Sequence, residues 1–593
     1  MEAQLNKVLG LQCPNSRDSI ISFGSINTKE AYKRFCKGLF GIGVTAEMIR
    51  QKEGEIHNIF KPSITTTDSQ IDDDTIADQG QLPEQGSDPS ISAVRVPIST
   101  KNRSNRNWFG WVRPPPMDSI VGPLMLAAAE AGNIQRLIST LEYIQDINFQ
   151  DDQKETALHK AAARGHKDIV QQLLTRGASI EAIAAFKATP LHLTALNGHT
   201  SVMELLLSKG ASVKAINKDS NTPLHLAASK GHTSVVKLLL IKGASIEAVS
   251  RSNATPLHLA ASHGHTSTVE LLLMKGASIE AMNYEGTPLH IAAQNGHTST
   301  AELLLTKGAS VKAINEDSNT PLHLAASKGH TSVVKLLLIK GASTEAKNYE
   351  GTPLHIAAQN GHTSTVELLL TEGASIWAVG SANVTPLHLA ALHFAAPNSH
   401  TSTVELFLKK GASIEAMNYR NNTPLHLAAL SGHTSTVELL LKKGASTEAM
   451  NDRNNTPLHL AALNGHTSTV ELLLTKGASI ESADCRTTPL HRAASNGHTS
   501  TVELLLKKGA SIEAMNYRDN TPLHLAALNG HTSTVKLLLT KGASVKAINK
   551  DNNTPLYFAA QRGYTDVVKL FEHYSGGEVM NVQLSKDYRK TCH

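Results

Sequence analysis

One four-residue phrase, Thr-Pro-Leu-His, constrains this chain more than any other feature. It returns at intervals of about 33 residues, and two variants bring the number of copies to thirteen. A degenerate copy at Gly122–Ala131 precedes them, so about fourteen units are expected. The intact phrase begins at Thr189, Thr222, Thr255, Thr287, Thr320, Thr352, Thr385, Thr423, Thr456, Thr488 and Thr521, and the variants begin at Thr156 and Thr554. Such self-similarity predicts a solenoid, because each unit buries its apolar face only against its neighbours.

The unit that begins at Thr222 predicts two short helices followed by a hairpin-like loop. Pro223 stands where a helix starts, since its missing N–H costs nothing there. Gly231 ends this first helix, and Gly243 closes a second helix rich in Leu and Val. In many copies the second helix opens Thr-Ser-Thr-Val-Glu. The spacing of Ser267 and Glu270 then predicts a capping box at its start.

This pattern resembles the ankyrin repeat in its Thr-Pro-Leu-His phrase, Ala-Ala pair, Gly-His turn, Leu-Leu-Leu run and Gly-Ala. The resemblance covers roughly Pro123 to Tyr574 and implies an all-α ankyrin-repeat solenoid. It also implies protein–protein recognition through the hairpin tips and the concave face of the first helices. The histidine of the phrase is implied to bond its own threonine and the adjacent backbone. The chain departs from the family where Gly-Ala-Ser-Ile-Glu or Gly-Ala-Ser-Val-Lys replaces Gly-Ala-Asp-Val-Asn, so the loop chemistry is its own.

Histidine is abundant, but its positions argue against a catalytic or metal site. Of 29 histidines, 24 fall at two fixed places in the repeat. The others show no ligand spacing, and they are His57, His263, His393, His573 and His593. We find no phosphate-binding loop, nucleophile elbow or Cys–His signature. The sequence therefore predicts a protein that is not an enzyme and uses no metal or cofactor.

Composition restricts the partners and the location. A net charge of +5 over 593 residues gives no argument for direct nucleic-acid binding. The four cysteines are scattered without paired spacing, which favours a reducing compartment. The apolar runs are too short to span a bilayer, and the first 25 residues lack a signal-peptide core. We therefore expect no membrane insertion and an intracellular location, the cytoplasm first and the nucleus as the alternative.

The hairpin tips differ among otherwise similar copies and supply the candidate contact residues. Tyrosine is a favoured interface residue because it is rigid, apolar and polar-tipped. The candidate tyrosines are Tyr284, Tyr349, Tyr419 and Tyr517. Four arginines share one register and predict a basic row suited to an extended acidic segment, namely Arg420, Arg453, Arg486 and Arg518. In the alternative interpretation, the glutamates five residues earlier fold back and cancel this charge, namely Glu415, Glu448, Glu481 and Glu513.

Two irregularities interrupt the period. Units that begin at Thr255, Thr320 and Thr456 are 32 residues long, and Gly286 and Gly351 permit the tighter turn in two of them. The unit that begins at Thr385 is 38 residues long, and its extra residues, within 392–399, are expected between its two helices. Phe394 in this insertion is a candidate exposed anchor, or else it packs locally.

The flanks are expected to differ from the solenoid at 118–574. Residues 1–61 predict a small helical module, either a second contact or a partner of the solenoid. Residues 62–117 read as a disordered linker. It ends near Trp108 and Trp111, which form either a docking motif or a flap over the first repeat. Residues 575–593 are a polar tail.

The function expected from these observations is a scaffold or adaptor that binds one or more proteins. A nuclear co-regulator acting through a protein partner is one alternative. An inhibitor or substrate adaptor of an enzyme is another.

Overall fold

The computed structural model describes residues 118–392, 397–482 and 487–575. Within these ranges the regular structure is fourteen pairs of α-helices with two short 3₁₀ turns, and no strand is formed. The predicted all-α repeat architecture is confirmed. The helices are α1 Asp118–Ala131, α2 Ile134–Leu141, α3 Ala157–Arg164, α4 Lys167–Thr175, α5 Pro190–Asn197, α6 Thr200–Ser208, α7 Pro223–Ser229, α8 Thr233–Ile241, α9 Pro256–Ser262, α10 Thr266–Met274, α11 Pro288–Gln294, α12 Thr298–Thr306, α13 Pro321–Lys328, α14 Thr331–Ile339, α15 Pro353–Gln359, α16 Thr363–Thr371, α17 Pro386–Leu392, α18 Pro397–Lys409, α19 Pro424–Ser431, α20 Thr434–Lys442, α21 Pro457–Leu463, α22 Thr467–Thr475, α23 Pro489–Ser495, α24 Thr499–Lys507, α25 Pro522–Leu528, α26 Thr532–Thr540, α27 Pro555–Gln561 and α28 Thr565–Tyr574.

The Thr-Pro-Leu-His phrase starts the first helix of a pair, where its threonine and histidine cap the helix reciprocally, whereas α1 begins at Asp118 and contains Pro123 in its interior. In α7, Thr222 lies just before the helix in an extended conformation, and Pro223 takes the first helical position. The Thr222 hydroxyl lies 2.8 Å from Nδ1 of His225, and the Thr222 N–H donates to the same nitrogen over 3.1 Å. The histidine therefore bonds its own threonine, as the family resemblance implied.

The capping box expected at Ser267 and Glu270 is wrong. Helix α10 already begins at Thr266, so Ser267 lies inside the helix, where a side-chain cap cannot form. The cap position belongs instead to His265 of the Gly-His turn, whose side chain makes no capping bond.

The core is a thin layer between neighbouring repeats. Ala227 and Ala228 of α7 are fully buried, as are Val235, Val236 and Leu239 of α8. First helices of adjacent pairs make more extensive contacts than second helices do. The alanine pair permits this close approach, since only small side chains separate the two backbones. Each fully buried Leu or Val contributes about 1.5–3 kcal/mol through removal of apolar area from water.

In the twelve repeats that carry both histidines, the two side chains extend hydrogen bonds in opposite directions along the stack. Nε2 of His225 lies 3.0 Å from the carbonyl oxygen of Ala254 in the next loop. Nε2 of His232 lies 3.0 Å from the carbonyl oxygen of Leu196 in the preceding repeat. The same pattern holds along the array, so each repeat is bonded to both neighbours as well as packed against them.

The tight turns expected at two short units are confirmed. Gly286 and Gly351 have φ values of 125° and 130°, a region that residues with a Cβ rarely adopt. A Cβ at Gly286 would also lie 2.7 Å from Cγ of His290. Longer loops turn through a non-glycine residue with φ near 60° instead, as at Ser220.

The insertion in the long unit is only partly a connection between helices. Pro397 begins helix α18, so residues 397–399 extend the second helix by about one turn. Proline is well suited to this first position because its φ is already helical. His400 keeps the register of the other repeats, with Nε2 3.1 Å from the carbonyl oxygen of Gln359. Phe394 lies outside the described residues, as do residues 1–117 with Trp108 and Trp111, and residues 576–593.

Candidate protein-binding surface

Eight of the described hairpin loops are shaped by an asparagine at the start of the tip. Oδ1 of Asn217 accepts the N–H groups of Asp219 and Asn221 over 2.9 and 3.0 Å. The loop that contains Asn418 repeats this arrangement with Arg420 and Asn422, over 2.9 and 3.0 Å. Because the asparagine bonds its own loop in this way, the tip has a fixed conformation before any partner binds.

Within the described ranges, backbone hydrogen bonds join neighbouring tips at six junctions, though not at the tips of Tyr284 and Tyr349. The N–H of Lys218 donates to the carbonyl of Phe186 over 2.7 Å, and the N–H of Asp452 donates to that of Arg420 over 2.9 Å. At these six junctions the tip side chains are therefore held one repeat apart in a fixed order. A surface ordered in advance loses less conformational entropy when it binds.

The predicted contact residues that the structure describes are exposed at these tips. Tyr284, Tyr349, Tyr419 and Tyr517 each expose more than half of their surface. The Arg420 guanidinium lies 5.1 Å from the ring centroid of Tyr419, and that of Arg518 lies 5.5 Å from Tyr517. These are cation–π distances, so tyrosine and arginine form paired contact units. Arg453 is also exposed, whereas Arg486 lies outside the described residues.

The glutamates that precede the arginines bond elsewhere. Oε1 atoms of Glu415, Glu448, Glu481 and Glu513 each accept the backbone N–H of a serine one repeat later, over 2.6–2.9 Å. In the described part of the chain, neither Arg420, Arg453 nor Arg518 forms an ion pair with them. These glutamates leave the three arginine charges available at the surface.

The arginine register changes sign along the array, a feature that the sequence analysis missed. In loops nearer the amino terminus the same position holds exposed acids, namely Asp219, Glu285, Asp317 and Glu350, and the last loop returns to an acid, Asp551. Alignment of the tips by their leading asparagine reveals this switch, because the charged residue always follows it by two positions.

The structure also shows a row of exposed apolar side chains, which we call the apolar stripe. Each member stands immediately before the first residue of a tip and exposes more than a third of its surface. The members are Ile183, Ile216, Val249, Met282, Ile314, Val379, Met417, Met450, Met515 and Ile548. Lys347 takes this register in one loop. The recurrence of one large apolar residue at the repeat spacing is visible in the sequence and was overlooked.

The buried histidines take no part in this surface. Burial lowers the pKa of six of them to about 4, namely His225, His258, His290, His323, His426 and His491. In addition, Nδ1 of His225 already accepts a backbone N–H, which leaves Nε2 to carry the proton. Among the described residues, no three His, Cys, Asp or Glu side chains converge to form a metal site. None of the described helices is long and apolar enough to cross a membrane.

A family model described as ankyrin repeats in three copies matches eight overlapping segments, which together run from residue 124 to residue 582. The chain belongs to the ankyrin-repeat family. Ankyrin-repeat arrays are generally protein–protein interaction modules and typically not enzymes.

Curated relatives match over short segments of the ankyrin-repeat array. Ankyrin repeat domain-containing protein 49 of Bos taurus is 39% identical over 70 residues, which is 11% of this chain and 29% of that protein. The Homo sapiens protein of the same name is 36% identical over 82 residues, or 13% and 33% of the two chains. A 60 kDa lysophospholipase of Mus musculus is 43% identical over 60 residues, 10% of this chain and 11% of that protein. The chain thus spans between about a tenth and a third of the length of these relatives.

Among solved structures, the human ASB11 ankyrin repeat domain is 28% identical to the matched part of this chain. The match covers 37% of this chain and 98% of that one, with a TM-score of 0.34.

Proposed function

We propose that this protein is a non-enzymatic scaffold or adaptor that holds partner proteins against its loop face. By loop face we mean the apolar stripe together with the tip residues beside it. The observation that carries the proposal is the stripe, because an apolar row exposed on a soluble surface is costly unless a partner covers it. The same surface recurs on loop after loop, so the partner contact is extended.

The tips supply the specificity of this contact. Aromatic residues and arginine are the side chains most often responsible for binding energy at interfaces. Tyr419 and Arg420, and likewise Tyr517 and Arg518, present both types side by side. We propose that an extended acidic segment lies along the arginine half of the row. The acidic half would take positive groups, which fixes the direction in which a partner lies on the array.

The proposal extends to the rest of the chain. Residues 1–61 supply a second contact, and residues 62–117, with Trp108 and Trp111, connect it to the array. The scattered cysteines support an intracellular location, for which we propose the cytoplasm.

Site-specific photo-crosslinking tests this function. A benzophenone amino acid is placed at Ile216 or Met417 of the stripe and, as matched controls, at exposed Lys237 or Glu438 on the second helices α8 and α20. We expect a shared protein adduct from the two stripe positions and none from the helix positions. Adducts confined to the second helices, or to probes placed within residues 1–117, would show that the loop face does not bind the partner.

A further inference from the structure

A ladder of hydrogen bonds joins the base of each hairpin loop to the next. In nine junctions a side-chain oxygen accepts the backbone N–H of a serine about 31 residues later, over 2.6–2.9 Å. The pairs are Asn148–Ser179, Glu181–Ser212, Glu247–Ser278, Glu280–Ser310, Glu345–Ser375, Glu415–Ser446, Glu448–Ser479, Glu481–Ser511 and Glu513–Ser544. With one exception the acceptor is a carboxylate, so this loop backbone repeatedly forms a carboxylate-binding position. We call it the glutamate ladder.

The ladder is broken at three described junctions. Lys214 and Lys312 replace the glutamate opposite Ser245 and Ser343, and Trp377 replaces it opposite Ser413. At the two lysine breaks, a positive charge stands where the other repeats carry a negative one. Ser245 and Ser343 are exposed residues, and their N–H groups have no acceptor among the described residues. Lys214 and Lys312 likewise form no ion pair there.

The first lysine break opens into a cleft between two loops. Its volume is about 430 Å³. Lys214 and Ser245 contribute to its lining together with Ile216 and Val249 of the apolar stripe. The cleft therefore combines an ammonium group, a serine next to a free backbone donor, and two apolar walls. Small-ligand and peptide side-chain sites have this composition, mostly apolar with a few polar groups that fix orientation.

We propose that each lysine break binds a carboxylate from a partner protein, in the position that the glutamate occupies elsewhere in the ladder. This site rests on the proposed function of the loop face and names the chemistry it recognises. At the first break, the partner carboxylate accepts the Ser245 N–H and pairs with the Lys214 ammonium. An apolar side chain next to it in the partner fills the cleft between Ile216 and Val249.

Among the residues that the structure describes, no neighbouring carboxylate already occupies the first break. The nearest ladder carboxylates, those of Glu181 and Glu247, each accept the N–H of their own serine partner. At the tips of the two flanking loops, Asp219 is offset by Lys218 and Arg251. A bound carboxylate therefore meets an unused donor and an unpaired ammonium rather than a neutralised site.

The site occurs twice because the surrounding segment is duplicated. Residues 210–217 and 219–245 recur as residues 308–315 and 317–343. Three repeats separate the two breaks, about 24–30 Å at the usual spacing of packed helices. An extended chain covers that distance in about eight residues. The charges around the two sites differ, since Lys347 stands in the place of Val249 while Glu316 and Tyr349 replace Lys218 and Arg251. The favoured ligand is thus an extended segment with acidic–apolar pairs about eight residues apart.

The test uses the full chain with ¹⁵N-labelled serine and a defined probe, acetyl-Glu-Leu-amide. Its uncharged analogue, acetyl-Gln-Leu-amide, is the control. We expect saturable shifts of the Ser245 and Ser343 amide signals with the first probe, and at least tenfold weaker binding of the second. The amide of Ser278, which Glu247 already occupies, should not respond.

Two substitutions that exchange lysine and glutamate test the site, one by removing it and the other by creating it at another junction. Lys214→Glu should restore the ladder and weaken the response at Ser245 at least tenfold, while Ser343 in the same molecule responds as before. Glu247→Lys should make Ser278 responsive. Equal shifts with both probes, or an unchanged Ser245 response in Lys214→Glu, would overturn the proposal. The probe needs no partner protein, so this failure is distinct from failure of the crosslinking test.

Discussion

The buried junctions around the Thr-Pro-Leu-His histidines hardly vary from His159 to His524, whereas the loops one layer away differ in charge, size and polarity. At the junction of His225 both ring nitrogens are bonded and the side chain is fully buried. At the corresponding loop positions the chain tolerates Ile216, Lys347 or Met417. A buried group cannot lose a partner without leaving other polar groups unsatisfied, while an exposed one can. The junctions therefore preserve the fold, and the loops are free to encode binding.

The largest effect expected from this contrast is acid unfolding. Six buried histidines have pKa values lowered to about 4, below the value near 6.5 that they recover on unfolding. Between these values the unfolded chain binds more protons, so stability is complete above about pH 6.5 and falls as pH drops toward 4. Each histidine contributes up to about 3 kcal/mol to this loss.

Urea unfolding followed by circular dichroism at pH 7.5, 6.5, 5.5 and 4.5 measures it. The denaturation midpoint should decline steeply below pH 6.5, with several protons taken up on unfolding. A midpoint that stays constant down to pH 5 would show that the junction histidines are not held neutral.

One substitution at a buried junction and one at a loop tip should differ clearly in their effect on the free energy of unfolding. His225→Ala removes the partner of the Thr222 N–H and of the Ala254 carbonyl, and it leaves a cavity. We expect it to lower the free energy of unfolding by about 2–4 kcal/mol. Tyr419→Ala, at a tip more than half exposed, should change it by less than about 0.5 kcal/mol.

The same urea titrations on the two variants and the parent protein provide the measurement. His225→Ala should also take up about one proton fewer on unfolding at pH 5, which separates the loss of this histidine from general destabilisation. Similar losses of stability in both variants would remove the division between junction and loop.

The sequence predicted what lies within one repeat better than what joins repeats. The bond between Thr222 and His225 could be predicted because both residues belong to the same four-residue phrase. The tight turn at Gly286 could be predicted because glycine permits the required backbone conformation. The prediction of a cap at Ser267 failed for a local reason too. Thr266 and Ser267 are adjacent and both suit the start of a helix, and only the structure shows that the helix begins at Thr266. The role of residues 397–399 was missed because the first helical residue there is a proline, which also suits a loop.

The ladder between Glu247 and Ser278 joins two loops whose bonded atoms are separated by a whole repeat. Sequence distance alone pairs Glu415 with Arg420, whereas in the structure Glu415 accepts the N–H of Ser446. The apolar stripe could have been predicted from the sequence, since Ile216, Met417 and their equivalents recur in one register. What the sequence lacks is their exposure, which depends on how neighbouring loops stack.

The most direct test of the account measures stability and binding on one loop-face variant. It carries Ile216, Val249, Met417 and Met450 changed to Ser, and Arg420, Arg453, Arg486 and Arg518 changed to Glu. With the crosslinked partner as ligand, we expect at least a hundredfold loss of affinity and of its salt dependence. The circular dichroism spectrum and urea midpoint should remain close to those of the parent protein. Unchanged affinity, or binding lost only together with folding, would contradict the division between a fold-bearing junction and a partner-binding loop face.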